Sequence, residues 1–488
     1  MRANRSKARL ALAVLVAFGS PAWAAPDQMT AAPAVAAMER AGAFFRDRLG
    51  VEGTYVWAYS PDGSIRDGEG GEAPQLRGWV QWPGTPAVGA AFLQIHEATG
   101  DGVWLEAARA AAQALLRTQL MSGGWSYSIA TQPDDFETWC YRSRAISPKA
   151  CDRIKGNPER NTTVLDDGTT QGALGFLMLF DRADGDRDPA IRKAVEFGLE
   201  RLTKLQYRNG AFFPFLKDAP PGAEVQAATL ASLPADWSRT WVKPEIGPYF
   251  IVNDDLPRDI GRLFLDAYRL YGRPAYLKAA VRLGDFLLAS QLPEPQRGWC
   301  QQYDARLQPV WGRKFEPPSV VSRETAGNLD FLIDLFGVTQ DRRYLDAASA
   351  AGAWLEAMRL PDGSWARFYE LATNRPLYID NQEGLTYADT DLLDHYAMKS
   401  EFDIVPALER LKRTVAGEPV VLPVLWSGAA VGLGPAELGD RSRDLVRSLD
   451  SEGRWIDRGR IEGSRFVDAI ATLSRFVVES RDAPKAQP

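Results

Sequence analysis

The sequence predicts an all-α protein, an α/α toroid of repeated helix hairpins. Three observations lead there. One unit, an apolar helix followed by a glycine turn and an aromatic residue, recurs along the chain. Within the units apolar residues return at three- and four-residue intervals, the period of a helix face. Strand-like alternation is sparse, and only Val420 to Leu425 reads as extended.

Taken in order, the chain opens with a basic head of Arg2, Arg5, Lys7 and Arg9, an apolar run from Leu10 to Phe18, and Ala22-Trp23-Ala24. That order is the pattern of a cleaved export signal over residues 1–24. The apolar run, about 10 residues, is too short to cross a bilayer, which takes roughly 20. No later run is longer, so the expectation is an exported protein, periplasmic or extracellular, without a membrane span. Residues 25–480 are expected to form one toroid and 481–488 a disordered tail.

The first full hairpin pairs Ala87 to Ala98 with a run from Trp104-Leu105 to Gln119-Leu120, closed by Gly123-Gly124-Trp125. The second pairs Gln171 to Asp181 with Ile191 to Gln206, closed by Gly210-Ala211-Phe212. The third joins Ile260 to Leu270 with Tyr276-Leu277 to Gln291-Leu292, then Gly298-Trp299. The fourth joins Asn328 to Phe336 with Tyr344-Leu345 to Arg359-Leu360, then Gly363-Ser364-Trp365. In three copies the leucine precedes the Gln or Arg by 14 residues, about four helical turns. Gly453-Arg454-Trp455 is a faint further echo. Solenoid repeats are short and regular, whereas long inserts separate these. A closed ring fits better, and it aims every inner-helix start at one central groove. Two inserts, Ser126 to Asn161 and Lys217 to Tyr249, are expected to rim that groove; the second carries Trp237, Arg239, Trp241 and Lys243.

Composition narrows the chemistry. A net charge of −6 argues against nucleic acid as a partner. Only His96 and His395 are present, so a Ser-His-Asp triad or a histidine-bound metal is disfavoured, and the chemistry falls to carboxylates, arginine, lysine or tyrosine. Of three cysteines, Cys140 and Cys151 are close enough in one polar loop to pair in an oxidising compartment, which leaves Cys300 for the interior.

The residues before the inner helices concentrate acids: Asp166-Asp167, Asp254-Asp255 and, in the fourth copy, Arg323-Glu324. Helix capping accounts for one acid per start. A doubled aspartate, twice, exceeds that need. Asp166 and Asp254, converging from separate helices, are candidates to hold a hard cation such as calcium through oxygen ligands. The stretch Trp299 to Glu316 mixes polar, aromatic and basic residues without helical period, as a groove wall would, with Trp311 and Phe315 as sugar-stacking candidates. Arg367, Tyr369 and Arg375 form a further cluster, and arginine is suited to gripping carboxylates.

At these residues the chain resembles the family 10 polysaccharide lyases, the pectate lyases. The resemblance is carried by Thr163 to Thr170, Asn253-Asp254-Asp255, Gln301-Gln302-Tyr303-Asp304 with Gly312-Arg313-Lys314-Phe315-Glu316, and Trp365 to Glu370 with Asn374-Arg375-Pro376. These stretches fall in order across residues 160–400. The resemblance implies an α/α toroid that cleaves a uronate polymer by β-elimination with calcium. It makes Arg313 the base, gives Asp166 and Asp254 to calcium and substrate, and gives Arg367 a substrate carboxylate. A guanidinium acts as a base only in a strongly perturbed site, because its pKa lies above about 12. The chain departs from the family at Ala211-Phe212, and at Asn381-Gln382 where a second arginine is typical. Two other readings remain: a glycoside hydrolase pairing Asp254 or Asp255 with Glu324 or Asp166, and a uronide-binding relative without turnover.

Overall fold

In the computed structural model the described residues are 29–73, 77–154, 159–217, 230–243, 250–423 and 433–482. The expected export signal lies outside them. Twelve long helices organise these residues. Helix α1 is Ala31–Phe44. Four hairpins follow: α2 (Thr85–Thr99) with α3 (Gly102–Thr118), α4 (Thr169–Ala183) with α5 (Pro189–Leu205), α6 (Leu256–Tyr271) with α7 (Pro274–Ser290), and α8 (Ser322–Thr339) with α9 (Arg342–Ala357). Then come α10 (Ile404–Val415), α11 (Pro435–Ser448) and α12 (Gly463–Asp482). Helix α12 thus takes in the first two residues expected in the tail, and 483–488 lie outside the described residues.

The architecture is the α/α toroid. Inner helices α12, α2, α4, α6, α8 and α10 pack each on the next, and α3, α5, α7 and α9 form an outer layer. The chain ends complete the pattern, since α1 packs on α12 and Phe45 stacks on Phe466 at 3.7 Å. Burial follows from position. Outer helix α5 buries Ile191, Ala194, Val195, Gly198, Leu199, Leu202 and Leu205, one stripe at helical period. Inner helix α2 is buried continuously from Thr85 to Phe92, because it has neighbours on every side. Inner helices meet closely where an aromatic ring sits on a glycine: a Cβ on Gly261 would lie 2.1 Å from the Phe331 ring.

The repeated residues are the ones that bond units together. The indole N–H of Trp125, Trp299, Trp365 and Trp455 donates to Leu115, Leu287, Leu355 and Leu445 carbonyls at 2.7–3.0 Å, closing an outer-helix end. Gln119, Gln206 and Gln291 each donate to a carbonyl of their own turn and to one on the next outer helix, Ala194, Ala279 and Ala347. A recurring glutamine therefore staples each hairpin to the next.

Strands are more numerous than the sequence suggested, though each has two to four residues. Pieces that short cannot show alternation. They pair at the inner-helix starts: Thr163–Val164 with Phe215–Leu216, Phe250–Ile251 with Gln302–Tyr303, and Ser319–Val321 with Phe368–Glu370. Of the stretch expected to be extended, residues 420–423 form no strand and 424–425 lie outside the described residues. Cys140 and Cys151 are disulfide-bonded, with Cα atoms 5.4 Å apart, and Cys300 is buried. Among the described residues no helix is long and apolar enough to cross a membrane.

Candidate active site

The strand pairs hold the inner-helix starts in turns with unusual backbone. Asp167, Asp254 and Asp255 adopt left-handed conformations, φ 47°, 50° and 58°, tolerated by aspartate better than by most residues. None of these carboxylates, nor that of Asp166, caps its helix. The capping reading therefore falls. Instead Asp166, Asp167 and Asp254 converge, with an oxygen from each within 4.8 Å of the others. Tyr127 donates its hydroxyl to Asp166 at 2.7 Å, and Gln81 its amide to Asp167 at 2.7 Å.

Crowding has an electrostatic consequence. Desolvation, then the charges of Asp166 and Glu69, push the Asp167 carboxyl up to about 6. Desolvation, then Glu324, push Asp254 up to about 7, against the opposing pull of Arg323. All three groups offer carboxylate oxygens, the donor set of a hard cation such as calcium. The residues present fit that ion.

Arg313 sits across Asn253 from this cluster. The Asn253 amide donates to Asp254 at 2.7 Å and to Glu316 at 3.3 Å. Glu316, 4% exposed, holds the Arg313 guanidinium through Nε at 2.9 Å and Nη2 at 2.6 Å. Burial pulls the Arg313 pKa down, but the Glu316 bonds and charge outweigh it and the net shift is upward. The resting Arg313 is thus a cation, and its surroundings oppose the base role that the resemblance implies.

The other expected residues divide into two groups. Phe315 lies in the site, 4.8 Å from the Arg313 guanidinium and against His395 and Tyr396. Arg367 is only 6% exposed and stacks on Tyr396 at 4.1 Å while its Nε donates to the Ala397 carbonyl, so it braces that ring, and its Nη1 has no hydrogen-bond partner among the described residues. Trp311 is 7% exposed and donates to the Ser238 carbonyl at 2.9 Å, which makes it a packed wall and not an open stacking face. Arg375 is exposed and belongs to a neighbouring group around Glu370 and Tyr387.

The sequence reading gave several site residues no role of their own. Glu316 stood inside the quoted Arg313 stretch, and Arg323 stood at the fourth inner-helix start. Arg323 binds Asp254 at 3.1 Å and Asp255 at 3.0 Å. Tyr396, whose hydroxyl accepts from Gln301 at 2.8 Å, carried no sequence signal. At the departure from the family, Asn381 donates to Asp391 and contributes no charge.

Residues 271–364 match the family described as pectic acid lyase. That stretch contains Arg313, Glu316 and Arg323, and leaves out Asp166, Asp254, Arg367 and Arg375. No curated protein matches the chain. Among solved structures, a mutant family 10 polysaccharide lyase from Cellvibrio cellulosa, in complex with trigalacturonic acid, gives a TM-score of 0.45 at 18% identity, covering 68% of this chain and 97% of that one. A family 76 glycoside hydrolase from Bacteroides thetaiotaomicron gives 0.49 at 11% identity, over 93% of this chain and 78% of that one. A D-mannose isomerase gives 0.42 at 14%, over 81% and 100%. At these identities and scores the solved structures assign no activity.

Proposed function

We propose that the protein is a polysaccharide lyase that cleaves a uronate polymer or oligouronide by β-elimination with calcium. The observation that carries the reading is the convergence of Asp166, Asp167 and Asp254 beside the Arg313–Glu316 pair, the latter within residues 271–364 that match the pectic acid lyase family.

Elimination next to a uronate carboxylate builds negative charge on the carbon that loses its proton, and preformed positive charge lowers that barrier. Calcium held by Asp166 and Asp254 would neutralise the substrate carboxylate. Arg313 faces the same charge from the wall, kept protonated and oriented by Glu316. To take the proton itself it must first lose one, so its resting contribution is charge stabilisation. Phe315 offers a ring edge to the sugar, Tyr396 is held in place by Gln301 and Arg367, and Arg375 lies further along the wall.

A hydrolase places its carboxylates on two sides of the scissile bond, about 5–5.5 Å apart at the least. Here Asp166, Asp167 and Asp254 each bring an oxygen to a common point, which favours a shared cation, and Asp254 and Asp255 are tied to Arg323. Export follows from the leader pattern, and the Cys140–Cys151 disulfide agrees with an oxidising compartment.

Incubation of the purified protein with polygalacturonate, with calcium and with chelator, tests the reading through ultraviolet absorbance of the unsaturated product. A calcium-dependent rise that Arg313→Ala abolishes is the expected result. Cleavage without absorbance would move the protein to the hydrolases, and binding without cleavage would make it a uronide-binding relative.

A further inference from the structure

The insert between the second and third hairpins is fastened to the loop that carries Arg313. Trp311 donates to the Ser238 carbonyl at 2.9 Å, and Trp241 donates to the Gly312 carbonyl at 3.0 Å. Trp237 meets the Trp311 ring edge-on at 6.3 Å. Residues 230–243 therefore form part of the groove wall, immediately beside Arg313.

Two arginines stand on this wall. Arg239 lies over the Trp237 ring at 3.7 Å, and Arg375 lies over the Tyr387 ring at 3.7 Å. Between them is Glu370, whose side chain is 8% exposed. One Glu370 oxygen accepts from Tyr387 at 2.6 Å and meets Arg239 at 3.1 Å; the other accepts from Thr373 at 2.7 Å. A guanidinium has five N–H donors. Arg239 directs one nitrogen to Glu370, and its side chain remains 53% exposed. The exposed Arg375 makes no side-chain hydrogen bond or ion pair among the described residues.

Stacking fixes the plane of each fork, the buried carboxylate orients one of them, and most of their donors face water. Two cations around one buried anion leave net positive charge on the wall of an acidic protein. Planar forks held this way are suited to bidentate carboxylate binding.

We propose that Arg239 and Arg375 form a second carboxylate-binding subsite, which holds a uronate unit of the same chain away from the bond being cleaved. This rests on the lyase reading above. It makes Arg239 a specificity residue, contributed by the insert, that favours longer oligouronides over short ones.

The test compares wild type, Arg239→Gln, Arg239→Lys and Arg375→Gln on galacturonate oligomers from trimer to hexamer. Elimination rates are read with calcium, and binding is read by calorimetry in chelator. For each glutamine variant the loss in kcat/KM and affinity should grow with chain length and reach about tenfold on the hexamer, the scale of one lost charge-assisted contact. The lysine variant should recover part of it, and added salt should shrink the difference. Arg375 touches the Arg239–Glu370 pair only through its charge and its stack on Tyr387, so its variant disturbs the insert least. Equal losses at every length, or no loss in Arg375→Gln, would overturn the subsite. Absence of unsaturated product at every length would sink the lyase reading, with the subsite then judged on the binding data. Absence of both unsaturated product with calcium and binding in chelator, at every length, would overturn both.

Discussion

Arg323 spans Asp254 and Asp255, with one guanidinium nitrogen 3.1 Å from the first carboxylate and the other 3.0 Å from the second. The fourth inner-helix start thus supplies a cation to acids of the third, where the second and third starts supply aspartates. It also lies 3.5 Å from Glu324, whose side chain is fully buried. Removing Arg323 leaves three carboxylates facing one another. Arg323→Gln is expected to lower stability by roughly 3 kcal/mol, the scale of a buried charge left without its partner. Calcium should raise the melting temperature of this variant more than that of wild type, because the ion replaces the missing charge. Equal calcium shifts in thermal melts would count against a shared electrostatic site.

The raised carboxyls set a pH dependence with a definite sign. Asp167 and Asp254 titrate at about 6 and about 7 in the folded protein, above the ordinary 3.8. The folded state therefore prefers them protonated. Their contribution to stability is fully present below pH 4 and is lost as the pH rises through 6 to 7. Cation binding runs the other way, because the ligands must be ionised. Calcium affinity, followed by calorimetry, should be more than about tenfold tighter at pH 7.5 than at pH 5.5. A flat profile would remove these aspartates from the site.

Arg313→Lys separates two roles for the same position. If the arginine acts as a fixed cation, as its Glu316 pair indicates, the lysine variant keeps a small fraction of activity that falls as pH approaches the lysine range near 10.4. If the group takes the proton, activity should instead climb with alkaline pH as the amine loses its charge. A rate–pH profile of the unsaturated product distinguishes them, and the first outcome is expected.

The repeat tryptophans should be structural. Trp299→Phe keeps most of the ring but removes the 3.0 Å indole bond to the buried Leu287 carbonyl, which keeps the Gln291 N–H at 3.0 Å. The expected cost is about 1 kcal/mol, read by denaturant unfolding, with calcium affinity unaltered. A change in calcium affinity alone would mean that these residues belong to the site.

The site was legible only in part. Asp166 and Asp254 stood out because a doubled aspartate exceeds what a helix start needs, and the structure brings them together. Glu316 and Arg323 were visible in the quoted stretches but carried no sign of their partners. Tyr396 lies in a loop without periodicity, so nothing local marked it. Trp311 looked available because residue type says nothing about which face of a ring is covered.

Hairpin content, repeat spacing, the Gly-aromatic turns and the acidic inner-helix starts are properties of the sequence itself, because helix periodicity and turn chemistry act over a few residues. Only the tertiary structure decided which acids converge, that Arg323 compensates Asp254, that Glu316 keeps Arg313 charged, and that Arg239 joins Arg375 around Glu370. All but the Glu316–Arg313 pair, which sits three residues apart in one loop, join residues from different units of the ring. They depend on how strands of two or three residues and close glycine contacts set one unit against the next, and such long-range packing leaves no periodic trace in the chain.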